Sequence, residues 1–161
     1  MENYNDDNVI THSTLESGFD FTIKDRWKRE YHFKIAVFPV PSGLEGEAIE
    51  VKEDGSDGYI FRGLYDFNTD EEFIIEQLIK KIKKGLNIHH IVNENGKWEI
   101  SDKGILRGRI EYNDNYSDTE HDKSFIIDGK RITIEEFIKM LEAYEGWQFK
   151  FEILDPVDDN S

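Results

Sequence analysis

The chain contains no cysteine. That excludes disulfides, thiol nucleophiles and cysteine-held metals, and it fits a reducing compartment. Proline is scarce, with 3 residues. Two of them, Pro39 and Pro41, lie close together, where proline ends a sheet ladder. No apolar run approaches the ~18 residues of a membrane span. The opening residues, MENYNDDNVI, are polar and acidic, the opposite of a secretory leader. A cytoplasmic location is therefore expected. Positive charge is also short, with 20 Lys and Arg against 35 Asp and Glu, a formal charge of -15. Phosphate contact needs concentrated Lys and Arg, so no direct nucleic-acid or anionic-membrane partner is expected. Such a charge keeps a protein in solution, and it steers the chain toward a basic protein partner.

Aromatic residues are plentiful: 11 Phe, 7 Tyr and 3 Trp in 161 residues. That is enough for one real core despite the high charge content. The expected organisation is a flexible arm at 1–17, a single α+β domain at 18–155 and an acidic tail at 156–161. The fold class expected is α+β, an antiparallel sheet of about six to eight strands packed with one long and one shorter helix.

The clearest unit runs from Phe125 to Leu154. Phe125-Ile126-Ile127 reads as a strand, and Asp128-Gly129 as a tight hairpin turn. Thr133 and Glu136 have the spacing of a capping box, which opens a helix. Ile134, Phe137, Ile138, Leu141 and Tyr144 form its apolar stripe, and Gly146 stops it. Trp147, Phe149, Phe151 and Ile153 then alternate with Gln148, Lys150 and Glu152, the period of a half-buried strand.

Earlier in the chain, the segments around Phe19–Ile23, Tyr31–Val37, Ala48–Lys52 and Tyr59–Tyr65 read as an antiparallel meander. A second capping-box spacing, Thr69 with Glu72, predicts a long helix from Asp70 to about Asn87. Its acids sit at the positive end of the helix dipole, and Lys80, Lys81, Lys83 and Lys84 at the negative end. Lys97–Ile100 and Leu106–Tyr112 read as a hairpin with Gly104 near its turn.

Candidate chemistry is sparse. His89-His90 is the only adjacent pair of potential ligands, and neighbouring helical residues point about 100° apart, which ill suits one metal. The loop holding Asp114, Asp118, Glu120 and Asp122 is oxygen-rich but lacks the ligand register of an EF-hand. It is read as a solvated loop or a contact surface for a cationic partner. Arg107 and Arg109 share one strand face with Glu111, so they can bind an anion or pair with nearby carboxylates. No phosphate-cradling glycine loop, GxSxG elbow or HExxH helix occurs. Enzymatic activity has no positive support, and no cofactor, metal site or catalytic residue is assigned. The three tryptophans are read as core residues.

The segments Gly58–Phe61, Gly104–Ile110, Ile127-Asp128-Gly129-Lys130, Glu135-Glu136-Phe137 and Tyr144–Phe149 resemble a family of uncharacterised bacterial domains, mostly from Gram-positive organisms. The motif around Glu145-Gly146-Trp147 is the most specific part of the likeness. The resemblance implies a bacterial or phage origin and one intact domain, and it carries no function. The functional expectation is a non-catalytic acidic protein-binding module, of the inhibitor or immunity type, that neutralises a basic partner. An anion-binding or enzymatic domain with a sheet–helix pocket is the alternative, and a DNA mimic the third. The oligomeric state is left open by the sequence.

Overall fold

Alternating apolar residues place four strands in one antiparallel meander: β1 (Phe19–Lys24), β2 (Glu30–Val40), β3 (Gly43–Glu50) and β4 (Ile60–Tyr65). The computed structural model describes residues 12–114 and 121–157. Tyr31, Phe33 and Ile35 of β2 and Ala48 of β3 are buried on the face that meets the long helix α2 (Glu71–Leu86). Into that face α2 sends Ile74, Leu78, Ile82 and Leu86, none more than 1% exposed. Their spacing of four puts them on one stripe. At roughly 2 kcal/mol for each buried aliphatic side chain, this stripe supplies on the order of 8 kcal/mol of gross hydrophobic stabilisation. Gly46 of β3 permits the close approach, because a Cβ there would sit 2.6 Å from Ile74 Cγ2.

Local details depart from the expected boundaries. Asp70 is the N-cap of α2 and makes no side-chain cap bond. The Thr69–Glu72 capping box therefore does not form, and Thr69 N instead donates to Asp66 O at 3.0 Å within a turn. β2 runs through Pro39 to Val40. The β1 partners end at Ile35, so Pro39 lies beyond β1 and faces only Leu44 of β3. An edge-like position of this kind tolerates a missing N–H. Of the arm expected at 1–17, residues 1–11 lie outside the described residues, and the described part holds α1 (Thr14–Ser17), whose Thr14 is buried. The Thr14 hydroxyl donates to Glu47 Oε1 at 2.6 Å, and the His12 ring stacks on Phe38 at 3.8 Å.

Beyond α2 the chain builds a second core. β5 (Ile91–Glu94) and β6 (Lys97–Ile100) form a two-stranded sheet, while β7 (Gly108–Tyr112), β8 (Lys123–Ile127) and β9 (Lys130–Thr133) form a three-stranded one. With α3 (Ile134–Leu141) they bury Ile91, Ile127, Ile132 and Met140. Among the described residues, the single sheet of six to eight strands is thus corrected to three antiparallel sheets of four, two and three strands, with one long helix among three. The expected hairpin from Lys97 to Tyr112 is corrected with it. Asn95-Gly96, both at positive φ, folds β6 back onto β5, which is the turn that matches strand twist. β7 then pairs with β8.

Thr133 caps α3 as expected. Its Oγ1 accepts from Glu136 N and its own N–H donates to Glu136 Oε1, both at 3.1 Å. Phe137 packs inward and Met140 is buried, while Ile138 and Leu141 face outward. A 3-10 turn, Glu142–Tyr144, follows, and Gly146 has the positive φ of a helix stop. The strand expected after it is unpaired: residues 147–154 join no sheet and lie exposed.

Candidate functional site

A group of titratable side chains lies where the two cores meet. Asp128 occupies the first position of the β8–β9 turn, with φ 52°, followed by Gly129 at 72°. Its carboxylate is buried and accepts three hydrogen bonds: from His90 N at 2.7 Å, Ile91 N at 3.0 Å and His90 Nδ1 at 2.8 Å. Burial alone would raise its pKa. The bonds from the His90 ring and the two backbone amides outweigh burial and hold the carboxyl below the usual range. The pair fixes the imidazole by one nitrogen and pins the first residue of β5.

The same turn faces the first core. Lys52 Nζ donates to Gly129 O at 3.3 Å, and a Cβ on Gly129 would sit 2.9 Å from Tyr59 Cδ2. Burial, then the charge of Asp128, pushes the Tyr59 phenol upward. Burial lowers the Lys130 ammonium, which lies 5.8 Å from the Trp98 ring centre. Arg109 and Arg131 flank Ile126 across the three-stranded sheet, so both extend from one face. Arg131 grips Asp57 through Nε at 2.7 Å and Nη2 at 3.1 Å, and Arg109 Nη1 donates to Gly58 O at 2.8 Å. The bidentate bond to Arg131 keeps Asp57 well ionised.

The residues singled out from sequence are distributed differently. Arg109 Nε is also bound to Glu111 Oε1 at 2.7 Å, so this guanidinium is committed twice within the protein. Arg107 is exposed just before β7. Asp114 is exposed, and Asp122 lies 3.3 Å from Lys123. Asp118 and Glu120 fall outside the described residues. His89 and His90 diverge: the first stacks on Trp27 with ring centres 4.1 Å apart, the second turns to Asp128. Among the described residues no group of three or more His, Asp or Glu is placed to hold a metal ion. Trp27 and Trp147 are exposed and only Trp98 is half-buried, which corrects their reading as core residues. A cleft of about 380 Å³ lies between the β5–β6 turn and α3, lined in part by Trp98, Glu136 and Lys139. Neither arginine lines it.

Two exposed apolar features were not legible as sites. One is the corner between β4 and α2, where Leu64, Phe67 and Phe73 stand in solvent, Phe67 58% and Phe73 48% exposed. Asp66, Asp70, Glu71 and Glu72, their neighbours in sequence, are exposed too. No Lys or Arg falls between Arg62 and Lys80. Sequence patterning places Asp70, Glu71 and Glu72 as dipole partners of the helix start, but gives no sign that the aromatics stay uncovered. The other is the segment after Gly146, with Trp147 73%, Phe149 92%, Phe151 66% and Ile153 71% exposed.

The fold defines an α+β protein with three antiparallel sheets and two apolar cores. Residues 18–87 match the family model described as Domain of unknown function (DUF7686), and residues 89–158 that described as Domain of unknown function (DUF7713). The junction of the two matches falls between Leu86, the last buried residue of the first core, and Ile91, the first of the second. No curated protein and no solved structure is a match. No helix among the described residues is long and apolar enough to cross a membrane.

Proposed function

We propose that the chain is a non-catalytic acidic protein-binding module that engages a basic partner through the corner between β4 and α2. The observation that carries this reading is Phe67 and Phe73, each about half exposed, in a stretch of chain that also exposes Asp66, Asp70, Glu71 and Glu72. Exposed aromatics among charged neighbours are the materials of an interface, which has apolar anchors at the centre and polar groups around them. The acids alone are accounted for by the helix dipole. The aromatics are not, since each, about half exposed, gives up roughly 1 kcal/mol of burial. The formal charge of -15 adds steering toward a cationic surface. An inhibitor or immunity-type role would use these features, with the buried His90–Asp128 pair supporting the scaffold.

The test is capture of basic proteins from native lysate at low salt by three forms of the chain. Wild type is expected to retain a basic partner that both Phe67→Ser/Phe73→Ser and Glu71→Lys/Glu72→Lys lose. Recovery of no basic partner, or equal recovery by all three forms, would overturn the reading.

A further inference from the structure

We propose that two copies of this chain pair through the segment Trp147–Leu154, as an antiparallel strand pair centred on Phe151. The corner at Phe67 and Phe73 plays no part in this contact. Alternation gives the segment the period of a strand, yet it is paired with none of the described sheets. Its ring-bearing face is nearly all in solvent. Trp147 is held at the helix end by Tyr144, with ring centres 5.5 Å apart, and its N–H donates to Tyr144 O at 2.9 Å. The segment is thus anchored at one end and presented at the other.

A second copy fits because the segment is complementary to itself in one register. With Phe151 opposite Phe151, Phe149 faces Ile153 and Lys150 faces Glu152, each twice by the two-fold axis. Within one chain Lys150 Nζ already lies 2.9 Å from Glu152 Oε1, so the pair forms a four-charge ladder on the polar face. Shifting the register by two residues either way breaks this match and sets Lys150 or Glu152 opposite itself.

The exposed apolar area approaches what a specific interface buries. At roughly 200 Å² per aromatic side chain, the three exposed rings present on the order of 450 Å² per chain and about 900 Å² in a pair. Ile153, and the outward Ile138 and Leu141 of α3, extend this surface. Together they bring it toward the ~1,200 Å² at which specific interfaces begin. An isolated two-stranded pair is marginal in water, and packing against a helix is the usual remedy. The outward face of α3 is the nearest such cover in sequence. The net charge opposes self-association, but the segment itself carries one Lys and one Glu and is locally neutral.

Sedimentation equilibrium of the full chain tests this over roughly 1–100 μM, the range in which a standard-size interface without special anchors is half-formed. A species of twice the 19.0 kDa monomer mass is expected for wild type. Glu152→Lys sets lysines opposite one another and is expected to weaken pairing at least ~10-fold. Lys150→Glu does the same with glutamates, and the double swap Lys150→Glu/Glu152→Lys is expected to restore pairing to within ~3-fold of wild type. Because both side chains are exposed in the single chain, none of these variants should alter its thermal unfolding at low concentration. A wild type that stays monomeric throughout, or a dimer indifferent to Glu152→Lys, would overturn the proposal. So would a double swap that fails to restore pairing. None of these outcomes bears on the corner at Phe67 and Phe73.

Discussion

Replacing Asp128 tests the polar pair that ties the β8–β9 turn to the start of β5 within the second core. Its carboxylate satisfies two backbone amides at the start of β5 and one imidazole nitrogen, at 2.7, 3.0 and 2.8 Å. Asp128→Ala leaves all three donors without this acceptor in a buried place. Each bond to a charged group contributes about 1.5–3 kcal/mol. Partial access of water to the half-buried His90 ring discounts the third. Alanine also strains the positive φ of 52°, which Asp and Asn tolerate best. A loss of about 3–5 kcal/mol at pH 7 is therefore expected, with Asp128→Asn near 1–2 kcal/mol because it keeps the turn and one acceptor. Urea unfolding followed by tryptophan fluorescence measures both. The pH dependence gives the sharper test. The folded pKa of Asp128 lies below its unfolded value. Its stabilisation is thus complete above the unfolded pKa of about 3.9, and is lost as pH falls through the folded value. Wild type and Asp128→Asn should converge in stability as acid is added through and below that window. A difference at pH 7 under 1 kcal/mol for the alanine variant, or one that does not shrink in acid, would refute the reasoning.

Three further outcomes follow from the packing. Ile82→Ala, at a fully buried site on α2, should cost about 2–5 kcal/mol in the same urea assay, because the sheet beneath cannot collapse into the cavity. Thr133→Ala removes the capping-box acceptor of α3 and should cost about 1 kcal/mol, while Thr133→Ser should lose little. Gly46→Ala places a methyl 2.6 Å from Ile74 Cγ2 and 2.9 Å from Leu78 Cδ1, so thermal unfolding should fall by several degrees, on the order of 1–3 kcal/mol. An unchanged melting temperature for that variant would show that α2 can shift away from β3 freely.

What could be read in the chain was local. Thr133 and Glu136 announce α3 because a capping box is a four-residue device, and its two bonds form as spaced. The apolar stripe of α2 is likewise a matter of period, and its four deepest residues repeat every four positions. The Thr69–Glu72 pair has the same spacing and fails, because Asp70 takes the cap position one residue later. Partner choice between strands was the weak point. Alternation marks which residues share a face and is silent on which strand lies alongside. Asn95-Gly96 was the available signal for the β5–β6 hairpin, and Gly104 drew the turn away from it. The site at Asp128 was hidden for another reason. Asp128-Gly129 reads as a turn, but its partner His90 is 38 residues away, and no pattern in either segment points to the other. The exposed rings mislead because alternation predicts one apolar face and cannot tell whether that face finds cover within the same chain.

The contacts between the two cores differ in kind from the contacts within them. Inside each core the buried residues are aliphatic and aromatic. Between them stand Arg131 on Asp57, Arg109 on Gly58 O and Lys52 on Gly129 O, with Tyr59 against the glycine. Exposed single ion pairs are worth little, and the bidentate, half-buried Arg131–Asp57 bond is the strongest in form of these polar contacts. Each of them is addressed to the loop between β3 and β4, while the Trp27–His89 stack lies apart from it. That loop is therefore the lever on which the relation of the cores turns. Because Asp57 also has a depressed pKa, set first by its bond to Arg131, its contribution is present above the unfolded value and lost as pH falls through the folded one. Both carboxyls are held below the usual range, Asp57 first by its bond to Arg131 across the contact, and Asp128 against the effect of burial by its bonds to His90 and Ile91 within the second core. Acid should loosen the junction before it reaches either apolar core, since neither Ile82 nor Ile132 has a proton to gain.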